Sequence, residues 1–528
     1  MDEDKPLHMV IHSPRRGSTN NDGDDPPSEE VVVEISLVTK DSSYKKMNSQ
    51  KFGFLKQVLG PSFLNKGFFN VVILGFSFFL LFAAFGTTQS FVTTVRKSEG
   101  FVSLSILYAV FAFSNFFAPS FCQLLTPKYA CIIGALCYCL FVFAAGFEST
   151  VLFYSASVVN GFGAAMVWCA QGTMITQSAV VAQNKVKKSQ SNDESGKKSV
   201  EVMGLFSGVF FAIFQLNSIF GNSLAGALFG AGMSNFQLFL ILSIIAVVGV
   251  GLMLAIRPIS KSEVEDIDEE KAPTDEPTYG AIGGSYFNKI IHKIKVYFTE
   301  ELSGQAKQFV ALLKESILVL VSPKMLVFSV ISFHSGFGSS YFTGSLPPIV
   351  GKTMLGWVMI MFGITQVSGA LISGKMLDKI GKRVTMIFTL VIYCIAIALS
   401  SQMVYWGKEL KDNKLDESFN APIYLLFFVN MALFGLSDSF LTNTIYGILG
   451  SKNYYKKKNT AEAFAAFKMT QSLSSAVGFF CGIYLTVNTI QIIIACSYVA
   501  CLIAFFILEK FVAPVDCEKK KKPTALLI

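Results

Sequence analysis

Long apolar runs, separated by polar segments, are the feature that most restricts the fold of this chain. About 20 mostly apolar residues are enough to cross a bilayer as an α-helix, and the chain reaches that length repeatedly, first at residues 68–91. The runs are continuously apolar and do not alternate with period two, which argues against membrane-spanning strands. Charged residues make up 15% of the chain, against about 25% in ordinary soluble domains. The sequence therefore predicts an all-α integral membrane protein that crosses the bilayer many times.

Twelve apolar runs are long enough to be spanning helices, and their ends are defined to within roughly 2–4 residues. We expect the helices at residues 68–91, 101–124, 129–147, 150–180, 201–228, 236–256, 325–346, 354–377, 383–402, 422–448, 462–487 and 489–511. The fourth run is longer than a bilayer requires, so we expect that helix to tilt or to project from the membrane.

The longest polar connection divides the predicted helices six and six. The domains that we expect are a disordered N-terminal tail at 1–66, a six-helix bundle at 67–256, a linker at 257–324, a second six-helix bundle at 325–511 and a basic tail at 512–528. The linker begins with the acidic stretch "KSEVEDIDEEKAPTDEPTYG" and ends with "SGQAKQFVALLKESILVLV", in which apolar residues cluster with lysines. This second part is either a helix lying at the membrane interface or a solvated linker.

The distribution of lysine and arginine predicts the orientation of the helices. The segments "NKVKKSQSNDESGKK", "KIGKR", "KNYYKKKN" and "CEKKKKP" all fall on the side of the N-terminus. Because cytosolic loops carry an excess of these residues, we expect both termini in the cytosol. The net charge of +8 is explained by lysines that meet anionic lipid. We therefore expect the bilayer, and no nucleic acid, as a partner.

The two halves of the chain repeat some residues in the same order. The matched pairs are Gln123 with Asp378, Lys128 with Arg383, Gly163 with Gly435, Gln171 with Asn443, Phe214 with Phe467, and Gln215 with Lys468. A parallel repeat of six helices, related by an axis along the membrane normal, is the architecture of major facilitator transporters. The shared order of the pairs therefore predicts two pseudo-symmetric bundles.

The connection between the eighth and ninth predicted helices, "GKMLDKIGKRV", contains the most specific short motif. It resembles the major facilitator loop motif G-x-x-x-D-[RK]-x-G-[RK]-[RK], at Gly374, Asp378, Lys379, Gly381, Lys382 and Arg383. Glycine permits a tight reversal, and an aspartate here can pair with the basic cluster or face the N-terminus of a helix. Such contacts can hold one conformational state and release it. The alternative is a basic loop that only follows the positive-inside distribution.

Four segments resemble the Unc-93-like branch of the major facilitator superfamily. They are "NVVILGFSFFLLFAAFGTTQ" (70–89), "GFGAAMVWCAQGTMITQSA" (161–179), "GVFFAIFQLNSIFGNSLAG" (208–226) and "GLSDSFLTNTIYG" (435–447). The resemblance extends over nearly all of the predicted membrane domain and implies the major facilitator fold, with twelve helices in two six-helix bundles. For function it implies solute transport suspected from the fold, regulation of potassium channels, or escort of other membrane proteins. We expect the plasma membrane or an endolysosomal membrane as the location.

Asp438 is an isolated carboxylate within the tenth predicted helix. A charge at the centre of a spanning helix costs about 2.5–3.5 kcal/mol on insertion scales, so such residues usually face the bundle interior or a wet cavity. Helical geometry places one set of small and polar residues within an arc of about 140° on the same side as Asp438. This set consists of Gly435, Ser439, Thr442, Asn443 and Tyr446. The family resemblance implies that this helix lines the central cavity.

Lys468 in the eleventh predicted helix is the candidate partner of Asp438. At ~1.5 Å per residue, Lys468 lies about 10 Å and Asp438 about 15 Å from the cytosolic surface of the membrane. We predict an ion pair that breaks and re-forms as the cavity opens. Since burial and a nearby ammonium shift the pKa of a carboxyl group in opposite directions, such a pair can couple proton movement to a solute. Alternatively, Lys468 extends to the cytosol and Asp438 bonds Thr442 or Asn443.

The candidate residues for a solute or coupling ion are polar side chains of the predicted spans. They are Asp438, Asn443, Gln171, Ser439, Thr442, Tyr446 and Lys468. Other amides, including Gln89, Gln215, Gln366 and Gln471, more often form hydrogen bonds between helices. The sequence contains no phosphate-binding loop, nucleophile elbow or HExxH motif, and its ten cysteines lack paired metal-ligand spacing. We therefore expect no catalytic residue, cofactor or metal.

Two functions are compatible with the sequence. The first is a secondary transporter that moves a small solute by alternating access, coupled to a proton or ion through Asp438. The second is a non-transporting subunit that regulates or escorts a potassium channel or another membrane protein. Duplication and the loop motif favour the first, whereas the family resemblance also supports the second.

Overall fold

The computed structural model describes residues 66–190, 202–259, 263, 317–411, 420–449 and 460–512. All regular secondary structure within these ranges is helical. The predicted N-terminal tail up to residue 65, most of the linker with its candidate interfacial helix, and the tail beyond residue 512 lie outside them.

The first half contains seven helices, because the fifth predicted span is divided in two. The second predicted span, 101–124, is also interrupted after Ser114, and its last residues belong to the third helix. The seven helices are α1 (Lys66–Val95), α2 (Ser98–Ser114), α3 (Ala118–Ala145), α4 (Thr150–Gln190), α5 (Val202–Phe214), α6 (Leu216–Gly230) and α7 (Asn235–Met253). Helix α3 is broken at Thr126, whose φ of 64° is non-helical. The break precedes Pro127, and the residue before a proline is disfavoured in helical conformation. The fifth predicted span consists of α5 and α6, which meet at Gln215.

The second half begins with an irregular span. It comprises α8 (Pro323–Ser340), a π-helix (Tyr341–Ser345) and the short α9 (Pro347–Val350). The remaining helices are α10 (Lys352–Lys379), α11 (Gly381–Lys411), α12 (Asn420–Leu449), α13 (Thr460–Tyr484) and α14 (Val487–Val512). The predicted span 325–346 is covered by α8, the π-helix and the residue after it, and each of the other five falls mainly on one helix; α11 continues nine residues beyond the predicted end at 402.

Nine segments of the described chain are long and apolar enough to cross a membrane. The other three predicted spans are helical but shorter or more polar. Helix α2 has 17 residues, α8 has 18 and ends at the π-helix, and α13 contains Lys468 and several serines. The protein is therefore a multi-pass α-helical membrane protein, and the number twelve stays a prediction.

Equivalent side chains bind equivalent helices in the two halves. Lys128, near the break in α3, donates to the carbonyl oxygens of Leu254 (2.8 Å) and Ile256 (2.7 Å) just after α7. Arg383, at the start of α11, pairs with Glu509 of α14 at 2.5 Å. In each half, a basic residue at the start of the third span thus binds the end of the sixth.

The expected equivalence of Gly163 and Gly435 is wrong. A methyl group added at Gly163 would lie 2.4 Å from Cys137 Cβ of α3, whereas one at Gly435 would lie 2.3 Å from the Phe362 carbonyl oxygen of α10. The contact equivalent to that of Gly435 is made by Gly161, which approaches the Leu107 carbonyl oxygen of α2. Gly161 and Gly163 are two residues apart and lie on different faces of α4, each packed against another helix, so the sequence alone did not show which of them corresponds to Gly435.

Candidate functional site

A cavity of about 210 Å³ lies between the two halves. Helices α1 to α4 contribute most of its wall, and α8 and α13 complete it from the second half. The cavity therefore sits where a relative movement of the two bundles would change its shape.

The wall from the first half is mainly aromatic. Phe82 of α1 is at its centre, with its ring centroid 5.2 Å from Trp168 of α4 and 5.3 Å from Tyr138 of α3. Phe214 packs behind Phe82, also at 5.2 Å. Aromatic pairs at these distances and tilted angles are stabilising beyond the area that they bury. This wall is a preformed apolar surface.

The wall from the second half is polar and is formed largely by one face of α13. Lys468, Gln471, Ser472 and Ser475 follow one another at helical spacing along it. Lys468 Nζ donates a hydrogen bond to Gln471 Oε1 at 3.1 Å, and Gln471 Nε2 donates to Ser335 Oγ at 3.0 Å. The Lys468 ammonium also lies 5.5 Å from the centroid of the Trp168 ring, within the range of a cation–π contact.

The two halves join beside the cavity through Gln89 of α1. Its Oε1 accepts from the Tyr108 hydroxyl at 3.0 Å, and its Nε2 donates to Thr343 Oγ1 of the π-helix at 3.1 Å. Tyr108 also stacks on Phe479 of α13 at 5.4 Å. The amide of Gln89 is thus bonded at both ends, once within its own half and once to the other half.

A second junction between the halves is formed by glycines of α6 and α10. A methyl group added at Gly356 would lie 2.5 Å from Gly226 N and 2.6 Å from the Asn222 carbonyl oxygen, so the two backbones are in direct contact. In the described ranges, the bonds and close contacts between halves lie beside the cavity or toward the end where α1 ends and α2 begins. We name this end the closed end.

Asp438 lies in α12, behind the cavity wall and not in it. Its Oδ2 accepts a hydrogen bond from Gln366 Nε2 of α10 at 2.9 Å, and the side chain is half-buried. Asn443 Nδ2 donates to the Ala370 carbonyl oxygen (2.8 Å) and to Ser373 Oγ (2.7 Å), both on α10. The predicted polar face of α12 therefore faces α10 at these positions.

Four other predicted residues lie outside the cavity lining, in helix packing or in bonds within their own helix. Ser439 Oγ donates to the Leu436 carbonyl oxygen of its own helix at 2.8 Å. The Tyr446 ring packs on Phe464 and Phe467 of α13, with centroids 5.8 and 6.0 Å apart. Thr442 is half-buried in α12 and Gln171 is buried in α4. Among the seven predicted residues, Lys468 is the one that lines the cavity.

The expected ion pair between Asp438 and Lys468 is not formed in this structure. Each is bonded to a glutamine of its surroundings, Asp438 to Gln366 and Lys468 to Gln471, although the two still interact electrostatically. Helix α12 packs chiefly on α10 and α11 and makes few contacts with α13, which explains why the glutamine of α10 is the nearer partner. The alternative partners Thr442 and Asn443 are not bonded to Asp438 either.

The loop motif lies at the end opposite to the closed end. Gly381 has φ +86°, a conformation that favours glycine, and it separates α10 from α11. Arg383 pairs with Glu509, Lys379 is exposed, and Lys382 approaches Gly447 of α12. Gly374 has no neighbour within 4 Å of an added methyl group. The Asp378 side chain lies outside the described part of the structure, and so does its predicted contact.

Several cavity residues were missed or undervalued from the sequence. The sequence favoured structural hydrogen bonds for Gln89 and Gln471, and it did not identify Trp168 or Tyr108. The sequence pattern that could have identified Gln471 is the helical spacing of polar residues after Lys468, which indicates that one face of α13 is exposed to a polar cavity. The aromatic wall carries no such signal, since phenylalanine is frequent throughout the spans.

The family model described as "Ion channel regulatory protein UNC-93" matches residues 91–506. The chain belongs to the UNC-93 family. Its relatives include the UNC93-like protein MFSD11 of Xenopus tropicalis, which is 27% identical over 83% of this chain and 95% of its own length. UNC93-like protein 3 of Arabidopsis thaliana is 26% identical over 80% of this chain and 82% of its own length. The family membership predicted from the four segments is confirmed.

Solved transporter structures share the fold of this UNC-93 family member. A D-xylose–proton symporter aligns with a TM-score of 0.54 at 13% identity, covering 86% of this chain and 99% of the symporter. A POT family transporter aligns with a TM-score of 0.53 at 11% identity, covering 85% of this chain and 98% of the transporter. At these identities the likeness concerns the fold, which is that of the major facilitator superfamily.

Proposed function

We propose that this UNC-93 family member is a secondary transporter that moves a small solute by alternating access, rather than an enzyme. The observation that carries the proposal is the cavity between the two halves, joined by contacts at one end. Gln89 with Thr343 and Gly356 with Gly226 form those contacts. Movement of one half relative to the other would break them and expose the cavity to the opposite side.

The orientation follows from the basic loops. Both termini and the loop motif at Gly381 face the cytosol, so the closed end faces away from it. In this proposal, the arrangement described above is an inward-facing state of the transport cycle. The membrane concerned is the plasma membrane or an endolysosomal membrane.

Coupling to a proton or ion is assigned to Asp438. The Gln366 amide donates to one of its oxygens at 2.9 Å and holds the carboxylate behind the cavity. Release from Gln366 and pairing with Lys468 form the second state of the cycle. In this scheme Gln171, Ser439, Thr442, Asn443 and Tyr446 are the proposed polar contacts of the solute or the coupling ion in that second state.

Reconstituted flux tests the proposal. Purified full-length protein in liposomes is assayed for uptake of radiolabelled monocarboxylates, amino acids, sugars and nucleosides, with protein-free liposomes as the background. We expect saturable uptake of at least one class, abolished by Asp438→Asn and unchanged by Lys408→Met, which removes an exposed lysine of α11. Saturable uptake that Asp438→Asn leaves intact would remove the coupling role while retaining transport.

Gly356→Ala tests the closed end directly. The methyl group would lie 2.5 Å from a backbone nitrogen of α6, and overpacking of this kind costs about 1–3 kcal/mol. We expect the distance between spin labels on α6 and α10 at this end to increase, as measured by pulsed electron paramagnetic resonance on the protein in nanodiscs. Gly208→Ala is the matched control, because nothing lies within 4 Å of its added methyl group. Identical label distances in both variants would contradict the assignment of the closed end.

A second candidate function is regulation of a channel or escort of another membrane protein. It is favoured by the description of the family model as an ion channel regulatory protein. A regulator would show no flux in liposomes, would co-purify with a client and would change the current or location of that client. Absence of flux together with such a client would replace transport by this second function.

A further inference from the structure

The charge of the cavity wall is unbalanced. Among the described residues that line it, Lys468 is charged and none is acidic. Asp438 lies outside the lining and is held by Gln366 at 2.9 Å. A partly desolvated cavity whose lining contains one ammonium and no carboxylate attracts anions.

The Lys468 ammonium has unused hydrogen-bonding capacity. It carries three N–H donors, and one of them donates to Gln471 Oε1 at 3.1 Å. No other acceptor is found for it in the described part of the chain. Because Gln471 is itself fixed by its bond to Ser335, it orients the ammonium rather than neutralising it.

The surface opposite the ammonium is flat and apolar. The Trp168 ring lies 5.5 Å from Lys468 Nζ, and Phe82 lies 5.2 Å beyond it, centroid to centroid. Such rings pack against planar apolar groups. The volume of about 210 Å³ is smaller than the roughly 300–1,000 Å³ of sites for drug-sized ligands. The cavity therefore suits a small molecule with one charged end and one flat apolar end.

We infer that the cavity binds a small organic anion, namely a monocarboxylate with a flat apolar or aromatic body. Its carboxylate pairs with Lys468, and its body lies against Trp168 and Phe82. The inference rests on the proposed transport site and names the class of its solute. The bound carboxylate occupies the partner position that Asp438 takes in the proposed ion pair, so the loaded state and the ion-paired state exclude one another.

Three probes that share a ring and differ in charge test the inference. Benzoate, benzamide and benzylamine are titrated by calorimetry into the purified full-length protein in nanodiscs. We expect benzoate to bind at least about tenfold more tightly than benzamide, because a hydrogen bond to a charged group is worth at least that factor. Benzylamine is expected to bind more weakly than either. Equal affinities, tighter binding of benzylamine, or no saturable binding of benzoate at millimolar concentration would overturn the anion site.

Variants of the ammonium give the second measurement. Lys468→Gln is expected to remove the preference for benzoate over benzamide, and Lys468→Arg to retain it. Lys408→Met, which removes an exposed charge, is expected to leave the preference unchanged. If Lys468→Gln fails to fold, the three probes on the unaltered protein still test the inference. A folded Lys468→Gln protein that keeps the full preference would contradict the inference.

Uptake of radiolabelled benzoate into proteoliposomes separates this inference from the proposed function. Binding with the expected charge order but no uptake of any solute would support the anion site and overturn transport. Uptake of a neutral or cationic solute that benzoate does not inhibit would support transport and overturn the anion site. Benzoate uptake that is lost in Lys468→Gln supports both.

Discussion

Two regions of the molecule, one around Phe78 in the first half and one around Gln491 in the second, are packed with different chemistry. In the first half, aromatic rings join α1, α4 and α5, and Phe78 lies 5.2 Å from Phe210 and 5.9 Å from Trp168. In the region around Gln491 of the second half, hydrogen bonds join the helices. Gln491 of α14 donates to the Tyr341 hydroxyl and to Ser400 Oγ, both at 2.8 Å, so one amide connects three elements.

This difference assigns different roles to the halves. Hydrogen bonds between membrane helices contribute about 0.6 kcal/mol on average, whereas an aromatic pair contributes about 0.5–1.5 kcal/mol beyond its buried area. The aromatic wall around Phe82 should therefore be the more stable and rigid side of the cavity. The second half supplies Lys468, Gln471 and the polar pairs that can exchange partners.

The largest expected effect is the loss of a central ring in the first half. Phe82→Ala removes contacts with Phe78, Phe85, Tyr138, Trp168 and Phe214, and truncation of a buried phenylalanine costs about 3–5 kcal/mol. We expect a clear fall in the thermal unfolding temperature in detergent. Phe113→Ala is the matched control, because that ring is 61% exposed. Equal falls in both variants would remove the distinction between wall and surface.

A smaller effect is expected for the polar core of the second half. Gln491→Leu removes the three hydrogen bonds of this amide, two donated by its Nε2 and one accepted by its Oε1 from Ser401 Oγ, and replaces it by an apolar side chain of similar length. We expect a cost of about 0.6–1.7 kcal/mol. Thermal unfolding of the variant measures this cost. The control is Gln402→Leu, which changes an exposed glutamine of α11. A loss as large as that of Phe82→Ala would reverse the proposed order of stability.

The smallest effect concerns the basic residues that bind the sixth span of each half. Arg383→Gln breaks a pair whose arginine side chain is 64% exposed, and such pairs contribute about 0–1 kcal/mol. Lys128→Gln removes donors to carbonyl oxygens at a helix end, worth about 0.3–1 kcal/mol. Unfolding at low and high salt measures both, and we expect the Arg383 effect to shrink with salt. A salt-independent loss at Arg383 would show that its contact is not mainly ionic.

Most of the fold could be predicted from the sequence because lipid imposes a length and a composition on each helix. The ends of α1, α10, α12 and α14 agree with the apolar runs to within four residues. The interruption at Gln215 and the π-helix at Tyr341–Ser345 were not predicted. Neither contains a proline, so neither carries the strongest sequence signal for a helix break.

The candidate site could be predicted only in part. Lys468 was found because a charge within a span is costly, whereas Gln366 could not be identified as the partner of Asp438. That pairing depends on how α12 packs against α10, and the polar spacing along α12 alone does not reveal which neighbouring helix it faces. The cavity wall around Phe82 depends in the same way on which of many rings meet.

The π-helix in the seventh span has a further consequence for how the halves separate. A π turn holds one residue more than an α turn, so its conversion to α-helix would rotate the residues that follow by about 100° about the helix axis. Thr343, which accepts the bond from Gln89, lies within the turn that would re-form. Local rewinding of five residues would thus break the hydrogen bond between Gln89 and Thr343, one of the contacts that hold the two halves together.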